Sequence, residues 1–342
     1  MFKRMIFVVL LILITFVTVG IFLPAQYHVE RSVVIQRPAA VLFTLLNSYK
    51  YFNNWSPWAT MDPDARFELS GPESGPGAKL SWSGDPRTVG EGWQEIRYSH
   101  AFEIISMHLD FGDQGVAQSQ FDLLETDAGT RVTWSFNTDV TEGKSVITAL
   151  LGKYFGLFLD QWIGADYEQG LGAFKEFAET LPASDFSGSI IEVVTVEPFD
   201  ILYVSGKSSQ EATDVGQALA DAFTQIGRFM AENNILQDSQ PMAITRSWDE
   251  NGYEFDAAVP VNGLPDEVSG NVQIGLSPSG RAVRFTHIGP YDQMLPAYEK
   301  LASYMAANGL DEGPVSWEHY ISDPGNTPEA EIITHIYFLI QE

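Results

Sequence analysis

The second half of the chain repeats itself. RFMAENNIL at 228–236 lines up with SYMAANGLD at 303–311, an offset of 75 residues. Downstream, PMAITRS at 241–247 lines up with PVSWEHY at 314–320, an offset of 73. Upstream, VGQALADAFTQIGRFM matches QMLPAYEKLASYM, and both have helical spacing. Val215, Leu219, Phe223, Ile226 and Met230 make one apolar face, and Leu295, Tyr298, Leu301 and Met305 make its counterpart. Each half reads strand, helix, strand, strand. Neither half can bury a sheet face alone, so the pattern predicts one pseudo-twofold α+β domain over about 190–342.

The first half reads differently. YHVERSVVIQ at 27–36 alternates like a strand, and Pro38 opens a short helix, AAVLFTLLN. An aromatic loop, YFNNWSPWATMDP, precedes six strand-like runs separated by turns, with Asp127-Ala128-Gly129 as a hairpin tip. Phe155, Phe158, Leu159, Trp162, Ile163, Tyr167, Leu171, Phe174, Phe177 and Leu181 then recur at helical steps, predicting one long helix over about 148–181. The expected architecture for 26–181 is a curved antiparallel sheet gripping that helix around a cavity. PASDFSGS at 182–189 reads as a linker.

At the N-terminus, Lys3 and Arg4 precede 19 uncharged residues, 5–23. As a helix they span about 28 Å, close to the thickness of a bilayer's hydrocarbon core. The run is longer than the apolar region of a cleaved signal peptide, and Leu23-Pro24-Ala25 makes a poor cleavage site. The expectation is an uncleaved signal anchor over 1–25. Lys3 and Arg4 then stay on the cytoplasmic side, and the domains lie in the periplasm of a Gram-negative cell.

Net charge is −26, from 45 acids against 19 bases, which repels phosphate backbones and argues against a nucleic-acid partner. With no cysteine, the chain has no disulfide, thiolate metal site or thiol nucleophile. No pair of its six histidines has HxxxH spacing, and no nucleophile elbow, phosphate loop or dinucleotide fingerprint is present. No metal or cofactor is expected.

GPVSWEHYISDP at 313–324 carries the one pointed candidate. Strand alternation puts Ser316, Glu318 and Tyr320 on one face and Trp317, His319 and Ile321 on the other. Periodicity alone leaves Glu318 either in a pocket or in water. Tyr291, in HIGPY, stands between a strand and a helix.

Two resemblances add to this. HIGPYDQMLPAYEKLASYMAANGL, GPVSWEHYISDP and the closing strand EIITHIYFLI resemble the GyrI-like small-molecule-binding family, the effector-binding domain of AraC-type regulators. That resemblance implies a cleft between two pseudo-symmetric halves, with Glu318 facing bulky, often cationic, apolar ligands. From their own positions, Tyr320 is a candidate to hydrogen-bond Glu318 or the ligand, and Tyr291 a candidate to close the cleft mouth. An aromatic wall would add cation–π attraction of roughly 0.5–2 kcal/mol. Some members are hydrolases that use this glutamate. The equivalent of Glu318 in the first half is Thr245, so only one carboxylate carries over, and no basic helix-turn-helix precedes the domain. ERSVVIQRPAAVLFTLLN, NNWSPW, the strands and the terminal helix resemble the polyketide-cyclase/START-like branch of the SRPBCC superfamily. That resemblance implies a helix-grip fold with an apolar cavity, and no reaction. Trp55 and Trp58 are candidates to line it, although Trp82, Trp93 and Trp134 equally suit a plain core.

Three functions stand as expectations. The first is a membrane-anchored binder of hydrophobic or cationic small molecules or lipids. The second is a small-molecule hydrolase with Glu318 as general base, and the third is an envelope interaction protein without ligand chemistry.

Overall fold

The structure, a computed structural model, describes residues 2–341. They divide into two compact units at Asp185 and Phe186.

The first unit begins with α1 (Phe2–Phe22), 21 residues that are long and apolar enough to cross a membrane. At 1.5 Å per residue, α1 spans about 32 Å. A seven-stranded antiparallel sheet follows, built from β1 (Gln26–Ile35), β2 (Arg66–Ser70), β3 (Lys79–Ser83), β4 (Glu91–His100), β5 (Ile104–Asp110), β6 (Val116–Thr126) and β7 (Gly129–Asp139). Its order, β1-β7-β6-β5-β4-β3-β2, is a meander with the first strand returned to the edge of the last. Between β1 and β2 lie α2 (Ala39–Leu46), α3 (Phe52–Trp55) and α4 (Pro57–Met61). Pro38 sits at the N-cap of α2, and seven of that helix's eight residues are buried, so it functions as core.

The expected single helix over 148–181 is two helices, α5 (Val146–Gly156) and α6 (Leu159–Ala178). The cause lies far away in sequence. Tyr27 of β1 donates its hydroxyl to the Lys153 carbonyl at 2.7 Å, which holds its ring against the end of the helix. Its ring occupies the space where a Cβ on residue 156 would sit, which only Gly156 permits. The Leu157 amide turns back to the Tyr154 carbonyl, and the helical ladder stops. Beyond the break, Tyr167, Leu171, Phe174 and Ala178 of α6 face the sheet at helical spacing.

The second unit is an eight-stranded antiparallel sheet with two helices. Its elements are β8 (Ile190–Val196), β9 (Asp200–Ser208), α7 (Ala212–Asn233), β10 (Met242–Asp249), β11 (Gly252–Pro260), β12 (Gln273–Leu276), β13 (Gly280–Ile288), α8 (Leu295–Asn308), β14 (Glu312–Tyr320) and β15 (Ile333–Ile340). Each half is therefore strand, strand, helix, strand, strand, one strand more than the repeat suggested. The sheet order β12-β9-β11-β10-β14-β15-β13-β8 reads the same from either end once repeat partners are exchanged. Ile244 lies opposite Trp317, 73 residues away, so each faces its own repeat equivalent and the pseudo-twofold axis passes between them. The outermost strands are exchanged: β8 pairs with β13 of the second half, and β12 pairs with β9 of the first. Even the caps correspond, since α7 ends on Asn234 and α8 on Gly309, 75 residues apart, both left-handed.

α7 packs through Ala222, Ile226, Phe229 and Met230 on Leu202, Val204, Tyr253 and Phe255. α8 packs through Ala297, Leu301 and Met305 on Val283, Phe285 and Ile336. The other sheet face carries a separate cluster containing Met242, Ile244, Trp317 and Tyr337.

Candidate functional site

β14 runs beside the twofold axis, and its alternation presents Glu318 on the side that carries α7 and α8. Ala243 and Ile336 flank it in register, both fully buried, so the carboxylate rises from an apolar floor. Two phenols meet it. Tyr298 of α8 donates to Oε1 at 2.5 Å, and Tyr320 of β14 donates to Oε2 at 2.7 Å. Tyr320 in turn meets Phe223 of α7 edge-on at 6.2 Å and Tyr291 edge-on at 5.6 Å. Tyr253 of β11 stands on the first-half side, where it shares a hydrogen bond with Thr245, the repeat equivalent of Glu318. One half of the pseudo-dimer thus offers a carboxylate at the axis, and the other a hydroxyl.

Glu318, Tyr298 and Tyr320 keep part of their surface open, although protein atoms surround each as densely as in an interior. Both observations hold together for groups on the floor of a concave cleft. Tyr291 stands at the edge, 40% exposed.

Burial pushes the Glu318 carboxyl above the ordinary carboxylate range, against the two phenolic hydrogen bonds and the nearby His287, which pull it down. Burial, and then the charge of Glu318, hold the Tyr298 and Tyr320 phenols well above their ordinary value. A carboxyl whose pKa is raised on folding stabilises the native state below its unfolded value near 4.5, and that contribution is lost as pH rises through the folded value. Without ligand, the melting temperature of the wild type relative to Glu318→Gln is therefore expected to fall as pH rises out of the acid range, then level off. A difference that ignores pH would mean the carboxylate is freely solvated.

Trp317 is on the opposite face, 3% exposed and stacked on Tyr337 at 4.6 Å. Trp55 and Trp58 belong to the first unit, in the aromatic layer between sheet and α6. Trp55 is 4% exposed and touches Phe174, Trp134 and Phe121. Trp58 donates its indole N–H to Asp166 and meets Trp134 edge-on. Trp134 stacks on Tyr167 at 3.8 Å, and both reach the hydroxyl of Ser119. Among the described residues, four buried polar atoms of the first unit have no hydrogen-bond partner: Asn47 Oδ1, Tyr49 OH, Trp55 Nε1 and Ser56 Oγ. A wide surface hollow bordered by Arg37 and the β6–β7 turn is open to water and carries none of these groups, so it is not the site.

The structure thus brings Glu318, Tyr320 and Tyr291 together and keeps Trp55 and Trp58 in another cluster. Tyr298, Tyr253, Phe223 and His287 complete the first group. Tyr298 was legible only as a tyrosine on a helix face otherwise made of Leu and Met.

Comparison with known proteins agrees with this division. Residues 26–179 match the family model for polyketide cyclase/dehydrase and lipid transport proteins, and residues 190–341 match the GyrI-like small molecule binding domain. The chain is an SRPBCC-type domain followed by a GyrI-like domain. Both are small-molecule-binding families, which supports ligand binding by the chain. Similar solved structures include an EcmrR–DNA complex (15% identity, TM-score 0.41, 59% of this chain and 74% of that one). The EcmrR C-terminal domain follows at 18% identity and TM-score 0.41, with 45% and 99% covered. An uncharacterized conserved protein from Listeria innocua has 14% identity and TM-score 0.35, with 44% and 92% covered. No curated protein matches the chain.

Proposed function

We propose that the chain is a membrane-tethered receptor that holds apolar cations over Glu318 in its GyrI-like domain, with both domains on the extracytoplasmic side of the membrane that α1 crosses. The observation that carries the reading is a desolvated carboxylate ringed by Tyr298, Tyr320, Tyr291, Tyr253 and Phe223. Such a carboxylate favours a cation that brings no water of its own, and the ring faces add to that attraction. A hydrolytic role for Glu318 is less well served: both of its oxygens already accept phenolic hydrogen bonds, so each is engaged before any water arrives. The net charge of −26 opposes nucleic acid as a partner and raises the local concentration of cations.

In the SRPBCC-type domain, the unanswered donors and acceptors at Tyr49, Trp55 and Ser56 mark where an apolar ligand with one polar end would sit, with Trp58 beside it. Lipid is the class of ligand that fits this reading.

The test is calorimetry of the full chain in detergent with tetraphenylphosphonium against neutral tetraphenylmethane-type analogues. The cation is expected to bind and the neutral analogue to bind far more weakly. Because Glu318 must lose its proton, affinity is expected to rise with pH, up to about tenfold per unit, until the raised folded pKa is passed. Equal affinity for both probes, with no pH dependence, would rule out the cation reading.

A further inference from the structure

α5 and its junction with α6 leave a large apolar surface uncovered. Ile147, Leu151, Phe155, Phe158 and Trp162 are spaced four, four, three and four residues apart, so one stripe crosses the helix break. All five are exposed, from 43% at Leu151 to 74% at Ile147, and Val146 reaches 87%. Between Val146 and Leu159 the only charged side chain is Lys153. That charge is turned toward α1: Lys153 Nζ donates to the Ile21 carbonyl at 3.2 Å, at the end of that helix.

The same helix is fastened to α1 at three further points. Tyr154 stacks on Phe16 at 4.2 Å and donates its hydroxyl to the Phe16 carbonyl at 2.5 Å. Leu150 lies so close to Gly20 that a Cβ there would run into it. The uncovered stripe thus begins beside the last turn of the helix that is long enough to span a bilayer.

We infer that α5 and the start of α6 lie in the membrane interface and seat the SRPBCC-type domain on the lipid surface. This rests on the reading of α1 as a membrane span. At 11 residues, α5 is about 16 Å long, half of what a crossing needs, so it does not span a bilayer by itself. Tyr154 and Trp162 are residue types that settle at the headgroup boundary, and Phe155 and Phe158 suit the apolar face of an interfacial helix. The rest of this acidic chain is repelled by anionic lipid, so the uncharged stripe carries the docking through buried apolar area, which salt does not screen. In this position the helix-grip layer behind α6 lies one helix away from the lipid from which it would draw a ligand.

The chain has no cysteine, which makes single-site labelling clean. Full-length Leu151→Cys, Phe155→Cys, Phe158→Cys, Ile12→Cys and Asp127→Cys, each carrying a nitroxide, are reconstituted into vesicles of phosphatidylethanolamine and phosphatidylglycerol. Collision with oxygen, which partitions into lipid, is compared with collision with a water-soluble nickel chelate. The expected result is a several-fold excess of oxygen over nickel accessibility at 12, 151, 155 and 158, deepest at 12, with the reverse at 127. Lipid contact at 12 with aqueous contact at 151, 155 and 158 overturns the docking and leaves the anchor standing. Protection of those three sites from both reagents also overturns it, since the stripe is then covered by protein. Aqueous contact at 12 overturns the anchor and the docking together.

Discussion

Replacing Glu318 with glutamine is expected to weaken binding of tetraphenylphosphonium by at least about thirtyfold while leaving the fold intact. Removing one member of a desolvated charge pair costs about 2–5 kcal/mol, and 1.4 kcal/mol is a factor of ten. The amide keeps an acceptor for Tyr298 and offers donors elsewhere, so the floor made by Ala243 and Ile336 need not move. The change should appear as faster dissociation, because the charge acts at close range on the bound cation. Tyr298→Phe and Tyr320→Phe serve as controls of different sign. Each removes a hydrogen bond that lowers the Glu318 pKa, so each is expected to shift the pH dependence of binding upward. An unchanged Kd in Glu318→Gln, with the same melting temperature, would remove the carboxylate from the site.

The second large effect is on stability. Trp134→Ala is expected to destabilise the first unit by about 3–5 kcal/mol, read as a shift of its urea midpoint with the second unit's transition in place. Trp134 is 3% exposed, stacked on Tyr167, and flanked edge-on by Trp55 and Trp58. Its indole N–H also donates to Ser119 at 2.8 Å, a buried hydrogen bond that truncation removes, although Ser135 and Tyr167 still hold that hydroxyl. A cost near 1 kcal/mol would mean that the space between the sheet and α6 is loosely filled and collapses easily around the change.

Legibility followed the range of each interaction. The two halves, their helices and the face of Glu318 were readable because periodicity and repetition are local signals. The caps at Asn234 and Gly309 repeat at the helical offset for the same reason. The short strand β12 escaped, since the alternation of its four residues, QIGL, is too short to stand out and its partner β9 belongs to the other half. The break between α5 and α6 was hidden in the helical spacing: its cause is Tyr27, 126 residues away from the carbonyl it captures. Tyr298 looked like one more core position on α8. Only the fold shows that its hydroxyl reaches a carboxylate on the neighbouring strand. Tyr253 and His287 gave no signal at all, being single polar residues in ordinary strands.

The exchanged strands at the two sheet borders have a consequence for ancestry and for engineering. Each half lends its opening strand to its sister, so a chain cut in the loop between β11 and β12 yields two pieces, each holding a strip of the other's sheet. Such pieces complement one another by mutual insertion. The covalent link between them takes the place of concentration, and the arrangement is that of a strand-traded homodimer joined into one chain. The two copies of the axial position differ, Glu318 in one half and Thr245 in the other, so a symmetric frame carries a one-sided floor.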